Sequence, residues 1–204
     1  MRNIFICLFL LTFFSSYSQV PEPVNNQRES IVLINGTIHV GNGNVIENGA
    51  IAFENGKITY VGNNFSKSQF SSYKIIDVDN KEVYPGLIIP NSRVGLEDIS
   101  AVRATVDHTE LGDINSNIRS LIAYNTDSEM ISTFRFNGVL LAQVTPSGGL
   151  ISGNSSIMML EGWNWEDAAY KEDEGIHINW PRKFFPPNPW RGSTEFTENP
   201  NYKS

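Results

Sequence analysis

The feature that most constrains this chain is a change of texture at Val83. Between Ile31 and Val83, short β-branched runs are cut by turn signals. Ile31-Val32-Leu33-Ile34 meets Asn35-Gly36, and Thr37-Ile38-His39-Val40 meets Gly41-Asn42-Gly43-Asn44. Ala50-Ile51-Ala52-Phe53 meets Asn55-Gly56, Lys57–Val61 meets Gly62-Asn63-Asn64, and Lys74–Val78 adds one more run. Asn-Gly accepts positive φ at both central positions of a tight hairpin turn, so residues 31–83 are expected to form a small antiparallel, sandwich-like β unit. Downstream, Val83-Tyr84-Pro85-Gly86-Leu87-Ile88-Ile89 is apolar without alternation, as expected of a strand buried on both faces. Pro85 fixes φ and lacks an N–H, which places it at the start of that strand.

The apolar positions of Ile118–Phe136 suit a helix stopped by Gly138, and Val139–Val144 reads as a second buried strand. Strand, helix and strand make one parallel crossover unit. Thr145–Ser156 reads as a Gly/Ser-rich loop, followed by a short strand at Ile157–Leu160. From Gly162 the chain turns aromatic, acidic and Pro-rich without a clear period.

The first 18 residues have the three-part layout of a secretory signal peptide: Arg2, the apolar run Ile4–Phe14, and Ser16-Tyr17-Ser18 before Gln19. The apolar run falls well short of the ~20 residues a bilayer span needs, so no membrane span is expected. The one cysteine, Cys7, lies inside that run, leaving the exported part to rely on an ordinary core without a disulfide. Residues 19–30 then form a polar tail. A formal charge of −7 with no Lys/Arg run argues against a nucleic-acid partner. The expected location is the periplasm or the extracellular space.

A small β unit feeding a Pro-Gly-apolar strand resembles the opening of the amidohydrolase superfamily, nearest to its imidazolonepropionase-like secreted members. The resemblance rests on the strand-and-turn opening Ile31–Gly36, on Asn55-Gly56-Lys57-Ile58, and on the stretch Asp77–Gly86. It implies an α/β fold: a β-sandwich-like unit over residues 31–83, then the first strands of an incomplete (β/α)8 barrel over residues 84–192, with residues 193–204 as an unstructured end. It also implies a hydrolase acting on carbon–nitrogen bonds other than peptide bonds, in a small linear or cyclic amide. In metal-bearing relatives the first barrel strand ends in His-x-His, which binds a divalent metal such as Zn²⁺. Here Asn91 and Arg93 hold those positions. A neutral amide is a poor ligand and a guanidinium has no lone pair, so no metal cofactor is expected for this chain.

A complete barrel takes about 250 residues, and fewer than half that number follow Pro85. The later family ligands are therefore expected to be absent, and the 204 residues to be inactive alone. The alternatives are a non-catalytic ligand-binding member, or half of a split barrel that assembles with a partner chain or with copies of itself. Catalytic residues stay unassigned. The candidate ligand-contacting residues are Asn91 and Arg93, with Thr145, Ser147, Gly148 and Gly149 at the C-terminal end of the second barrel strand, where barrel sites lie. The opposing reading of this Gly-rich loop is a plain connection. Arg93, Glu97 and Arg103 could share that face, or form a solvated ion-pair cluster. His39, His108 and His177 are too scattered to rebuild a metal site. Trp163, Trp165, Trp180 and Trp190 could form a binding platform, but packing against further barrel elements explains them as well.

The signal-peptide reading has a direct check. The mass of the exported protein should place its N-terminus at Gln19, and an exported chain that retains Met1 contradicts the reading.

Overall fold

The computed structural model describes residue 25, residues 27–200 and residue 202, so the expected cleavage site lies outside the described residues. The first unit is one five-stranded sheet. Strands β1 (Ile31–His39), β2 (Val45–Glu54), β3 (Lys57–Gly62) and β4 (Lys74–Asp77) lie in the order β3-β2-β1-β4, and β5 (Glu82–Val83) also pairs with β1. The Asn55-Gly56 hairpin forms as expected: Glu54 faces Lys57, with φ of 51° and 70° at the two turn residues. Asn35-Gly36 does not turn the chain. Asn35 takes φ 57° inside β1 and produces a bulge opposite β2, so β1 continues to His39. A Cβ on Gly36 would come within 2.8 Å of Val78 Cγ2, which explains the glycine better than a turn does.

The unit is mixed rather than antiparallel, and it is a single sheet rather than a sandwich. Both β4 and β5 run parallel to β1, because residues 63–73 carry the chain back past the sheet before Lys74. That crossover covers one face. Phe70 is buried against Val32, Ala50 and Ala52, with Phe65, Tyr60 and Tyr73 packed around it. Phe70 meets Phe65 in a stacked pair at 5.6 Å and Tyr73 edge-on at 5.1 Å.

The second sheet has the order β6-β7-β8-β9, formed by Leu87–Ser92, Val139–Val144, Ile151–Met159 and Ala169–Ile178. Strands β6 and β7 are parallel, as the crossover reading requires, while β8 and β9 return antiparallel. Three sequence expectations are corrected here. The helix α1 covers only Glu129–Phe136, since residues 118–128 are a loop with a 3-10 turn at Ser120–Ala123. The Gly/Ser-rich stretch from Ile151 is not loop but the body of β8. Its pattern of small residues follows from a ribbon laid along it: Asn115 N donates to Ile151 O at 2.9 Å, and Asn154 N to Ile118 O at 2.7 Å. A Cβ on Gly153 would lie 2.7 Å from Ile118 O, so side chains are excluded where the two backbones meet. The charged run in β9 hid a strand for a different reason, since most of its residues face solvent.

Strand β6 is also less buried than its composition implied. Leu87 and Ile88 are 57% and 58% exposed, and β6 pairs with β7 alone among the described residues, so barrel closure is not seen. At the far end, β10 (Phe184–Phe185) and β11 (Thr197–Glu198) form a two-residue hairpin, giving local structure to a tail without a core-forming pattern.

The core of this half gathers Val94, Leu96, Leu121, Tyr124, Ile131, Val144, Met158 and Leu160. Leu121 is fully buried, although it belongs to a loop. Its truncation should therefore behave as a core mutation: Leu121→Ala is expected to cost about 2–5 kcal/mol in urea unfolding. A loss under about 0.5 kcal/mol would show that this loop is not part of the cooperative core.

Candidate functional site

Strands β6 and β7 end side by side, and the parallel ladder continues one step past both as Thr145 N donates to Ser92 O at 2.9 Å. Asn91 bends the end of β6 with φ 49°, and its N–H donates to Gln143 Oε1 at 2.9 Å. The result is a polar cleft of about 370 Å³ lined by Asn91, Arg93, Thr145, Pro146, Ser147, Ser152, His177, Ile178 and Asn179. The C-terminal ends of β6, β7 and β9 supply most of this lining.

Two hydrogen-bonded groups hold the walls. On one side Asn179 Nδ2 donates to Gly149 O and to Ser152 Oγ, both at 2.9 Å, which fastens the glycine loop to the end of β9. Beneath it the fully buried Ser155 hydroxyl lies 2.8 Å from His177 Nε2 and donates to Glu174 Oε1 at 3.0 Å. Gln143 Nε2 also donates to that Glu174 oxygen. On the other side Glu97 Oε2 lies 3.4 Å from Arg93 Nη1 and 3.1 Å from His108 Nε2, and His108 Nδ1 lies 2.8 Å from Ser147 Oγ. Hydrogen bonds from Ser100 and then Arg93 hold the Glu97 carboxyl below its ordinary range, against the opposing effect of burial.

Four of the six candidate contacts, Asn91, Arg93, Thr145 and Ser147, line this cleft together. Gly148 and Gly149 do not line it, and instead present their carbonyls to Asn179. Arg93 and Glu97 form the expected ion pair, whereas Arg103 turns its guanidinium to the Val106 carbonyl. Sequence reasoning placed Ser152 in the Gly/Ser-rich loop without singling it out, missed Asn179, and left His177 without a role. The alternation Ile176-His177-Ile178 was the one available signal, and it marks the end of β9.

The three histidines do not converge. His39 pairs with Glu82 at 2.5 Å and stacks on Tyr84 in the first unit. Among the described residues no group of three or more His, Cys, Asp or Glu side chains could hold a metal ion. Asn91 and Arg93 give the cleft a neutral amide and a cation. This donor set does not fit a divalent metal. The tryptophans divide: Trp165 packs on the core, while Trp180 is 84% exposed beside an apolar cleft with Leu150, Ile151 and Ile178. Among the described residues no helix is long and apolar enough to cross a membrane.

The Glu174 carboxyl is held below its ordinary value by hydrogen bonds from Gln143 first and Ser155 second. A depressed folded-state value stabilises the fold above the unfolded pKa, and that contribution is lost as pH falls through the folded value. Thermal unfolding between about pH 5 and pH 3 should therefore fall more steeply for the native chain than for Glu174→Gln. Parallel curves for the two would show that the carboxylate is not tied to the sheet.

No family model matches this sequence. A 50-residue stretch is 42% identical to an imidazolonepropionase of Bacillus mycoides (strain KBAB4), covering 24% of this chain and 12% of that protein. In three dimensions, an amidohydrolase from Thermotoga maritima MSB8 superposes with a TM-score of 0.68 at 20% identity, over 74% of this chain and 39% of that one. The chain thus spans well under half the length of either protein. The local identity, together with the shared fold, relates this chain to the amidohydrolase superfamily over part of its length.

Proposed function

We propose that the cleft at the ends of β6 and β7 binds a small carboxylate-bearing amide or cyclic amide without a divalent metal, in an exported protein built on the opening of an amidohydrolase-like hydrolase. The observation that carries this reading is Arg93. It stands where the resemblance implies a metal ligand, lines the cleft, and keeps 55% of its side chain exposed beside Asn91, Thr145, Ser147 and Asn179. A cation at that place repels a second cation and attracts an anion, while hydroxyls and amides match an amide's carbonyl and N–H. The cleft volume lies within the range of small-ligand sites.

Carbon–nitrogen bond hydrolysis by the family's metal route is not assigned to these residues, because the described donors do not fit the metal. The exposed Leu87 and Ile88, and a β6 that pairs with β7 alone among the described residues, support completion of the barrel by further strands, from additional chain, a partner or a second copy.

Titration calorimetry with succinamate, which carries one carboxylate and one amide, tests the reading. The native chain should bind it, and Arg93→Gln should weaken binding by about 10- to 100-fold, the usual worth of a charge-assisted hydrogen bond. Elemental analysis should find less than one tightly held metal per chain. Equal affinity in the two proteins, or a stoichiometric metal, contradicts the proposal.

A further inference from the structure

The hydrogen bonds behind the cleft wall form an ordered relay. His108 is 9% exposed and sits between two partners, with Nε2 3.1 Å from Glu97 Oε2 and Nδ1 2.8 Å from Ser147 Oγ. A carboxylate only accepts, so the ring proton belongs on Nε2. That leaves the Nδ1 lone pair facing the serine hydroxyl. Arg93 bonds the same Glu97 oxygen from the cleft side and holds it in place. We propose that Ser147, His108 and Glu97 form a nucleophilic relay, and that this cleft hydrolyses small carboxylate-bearing esters and activated amides through an acyl-serine without a metal.

Three observations separate this from a structural tie. The segments are already joined by Ser147 N donating to His108 O at 2.7 Å, so the hydroxyl–imidazole contact is not needed to hold them. The serine hydroxyl has a second acceptor in the His108 carbonyl, but at 3.4 Å it is the longer contact. Ser147 also lines the cleft, where a substrate reaches it. Ser155, with His177 and Glu174, repeats the residue types but is fully buried and does not line the cleft, so no substrate meets its oxygen. Gly148 and Gly149, which follow Ser147 with φ of 95° and 63°, do not line the cleft and are assigned no part in the relay.

The step balances with water as the second reactant. Ser147 Oγ bonds to the acyl carbon as its proton passes to His108 Nδ1. The bond from that carbon to the leaving oxygen or nitrogen breaks, and the leaving group takes the proton from His108. Water then attacks the acyl-serine, gives a proton to His108 and releases the acid, and the proton returns to Ser147. Ser147 and His108 are the catalytic pair, and Glu97 is a positioning residue that fixes the tautomer.

The proposal rests on the anion-binding reading for its substrate class, and the test keeps the two apart. The full chain is treated with a fluorophosphonate probe and, separately, with 4-acetoxybenzoate or phenyl acetate in the presence of a chelator. The expected results are a probe adduct on Ser147 by peptide mass mapping, and chelator-resistant release of 4-hydroxybenzoate that exceeds release of phenol. Ser147→Ala should abolish both the adduct and the turnover, and His108→Gln should lower turnover about 100-fold or more. Glu97→Gln should lower kcat with little rise in KM, a split that lost substrate binding would not produce. Should His108→Gln unfold, the smaller change Ser147→Ala still decides the matter. No adduct on Ser147, or an adduct only elsewhere, in a chain that still binds succinamate overturns the relay and leaves the binding reading standing. A Ser147 adduct with phenyl acetate turnover but no succinamate binding overturns the carboxylate preference alone.

Discussion

The parallel pairing of β6 with β7 is the constraint on which the cleft depends. Ser92 faces Val144 at the end of the ladder, and the chain leaves both strands in the same direction. Only that arrangement puts Asn91 and Arg93 from one segment beside Thr145 and Ser147 from another. A parallel pair needs a long connection, and here residues 93–138 provide it with just one α-helix. The rest of that crossover does other work. It supplies Leu96, Leu121 and Tyr124 to the core and the Glu97–His108 pair to the cleft wall.

That irregular crossover is held by backbone contact more than by side-chain interlocking. Its ribbon runs along β8 closely enough that a Cβ on Gly153 would lie 2.7 Å from Ile118 O. Tyr124 closes the lower end of the same contact. Its ring covers Gly95, its hydroxyl donates to Met159 O at 3.1 Å, and burial raises the phenol pKa well above its ordinary value. A buried hydroxyl with a backbone acceptor costs little desolvation and fixes orientation. The walls of the cleft are thus mounted on a packed layer rather than on free loops, which suits a site that must hold a hydroxyl and an imidazole 2.8 Å apart.

An amide and a guanidinium at the end of a parallel strand pair give this cleft a different chemistry from that of a metal centre. A metal polarises a carbonyl and lowers the pKa of bound water. A guanidinium instead orients anions through charge and directed donors, and it stays protonated throughout the physiological range. Arg93 also shares its acidic partner Glu97 with His108, so one cation serves both the cleft and the wall behind it.

Some of this was legible residue by residue. The Asn55-Gly56 hairpin, the Gly138 helix stop and the strands following Gly86 and Gly138 follow from local rules, because turn dihedrals and apolar runs are properties of short segments. The parallel placement of β4 and β5, the strand made of Ser and Gly at Ile151–Ser156, and the charged strand β9 were not legible. Each depends on which distant segment lies alongside. Asn35-Gly36 shows the limit most clearly, since the dipeptide that turns the chain at Asn55 only bulges a strand when β2 runs past on one side and Lys81 and Val78 approach on the other. The sequence by itself determined that Ser147 and Arg93 follow two apolar strands. Only the tertiary structure decided that Ser147 meets His108 and Glu97, because residues 39 and 50 positions away reach it through backbone pairing that no local pattern encodes.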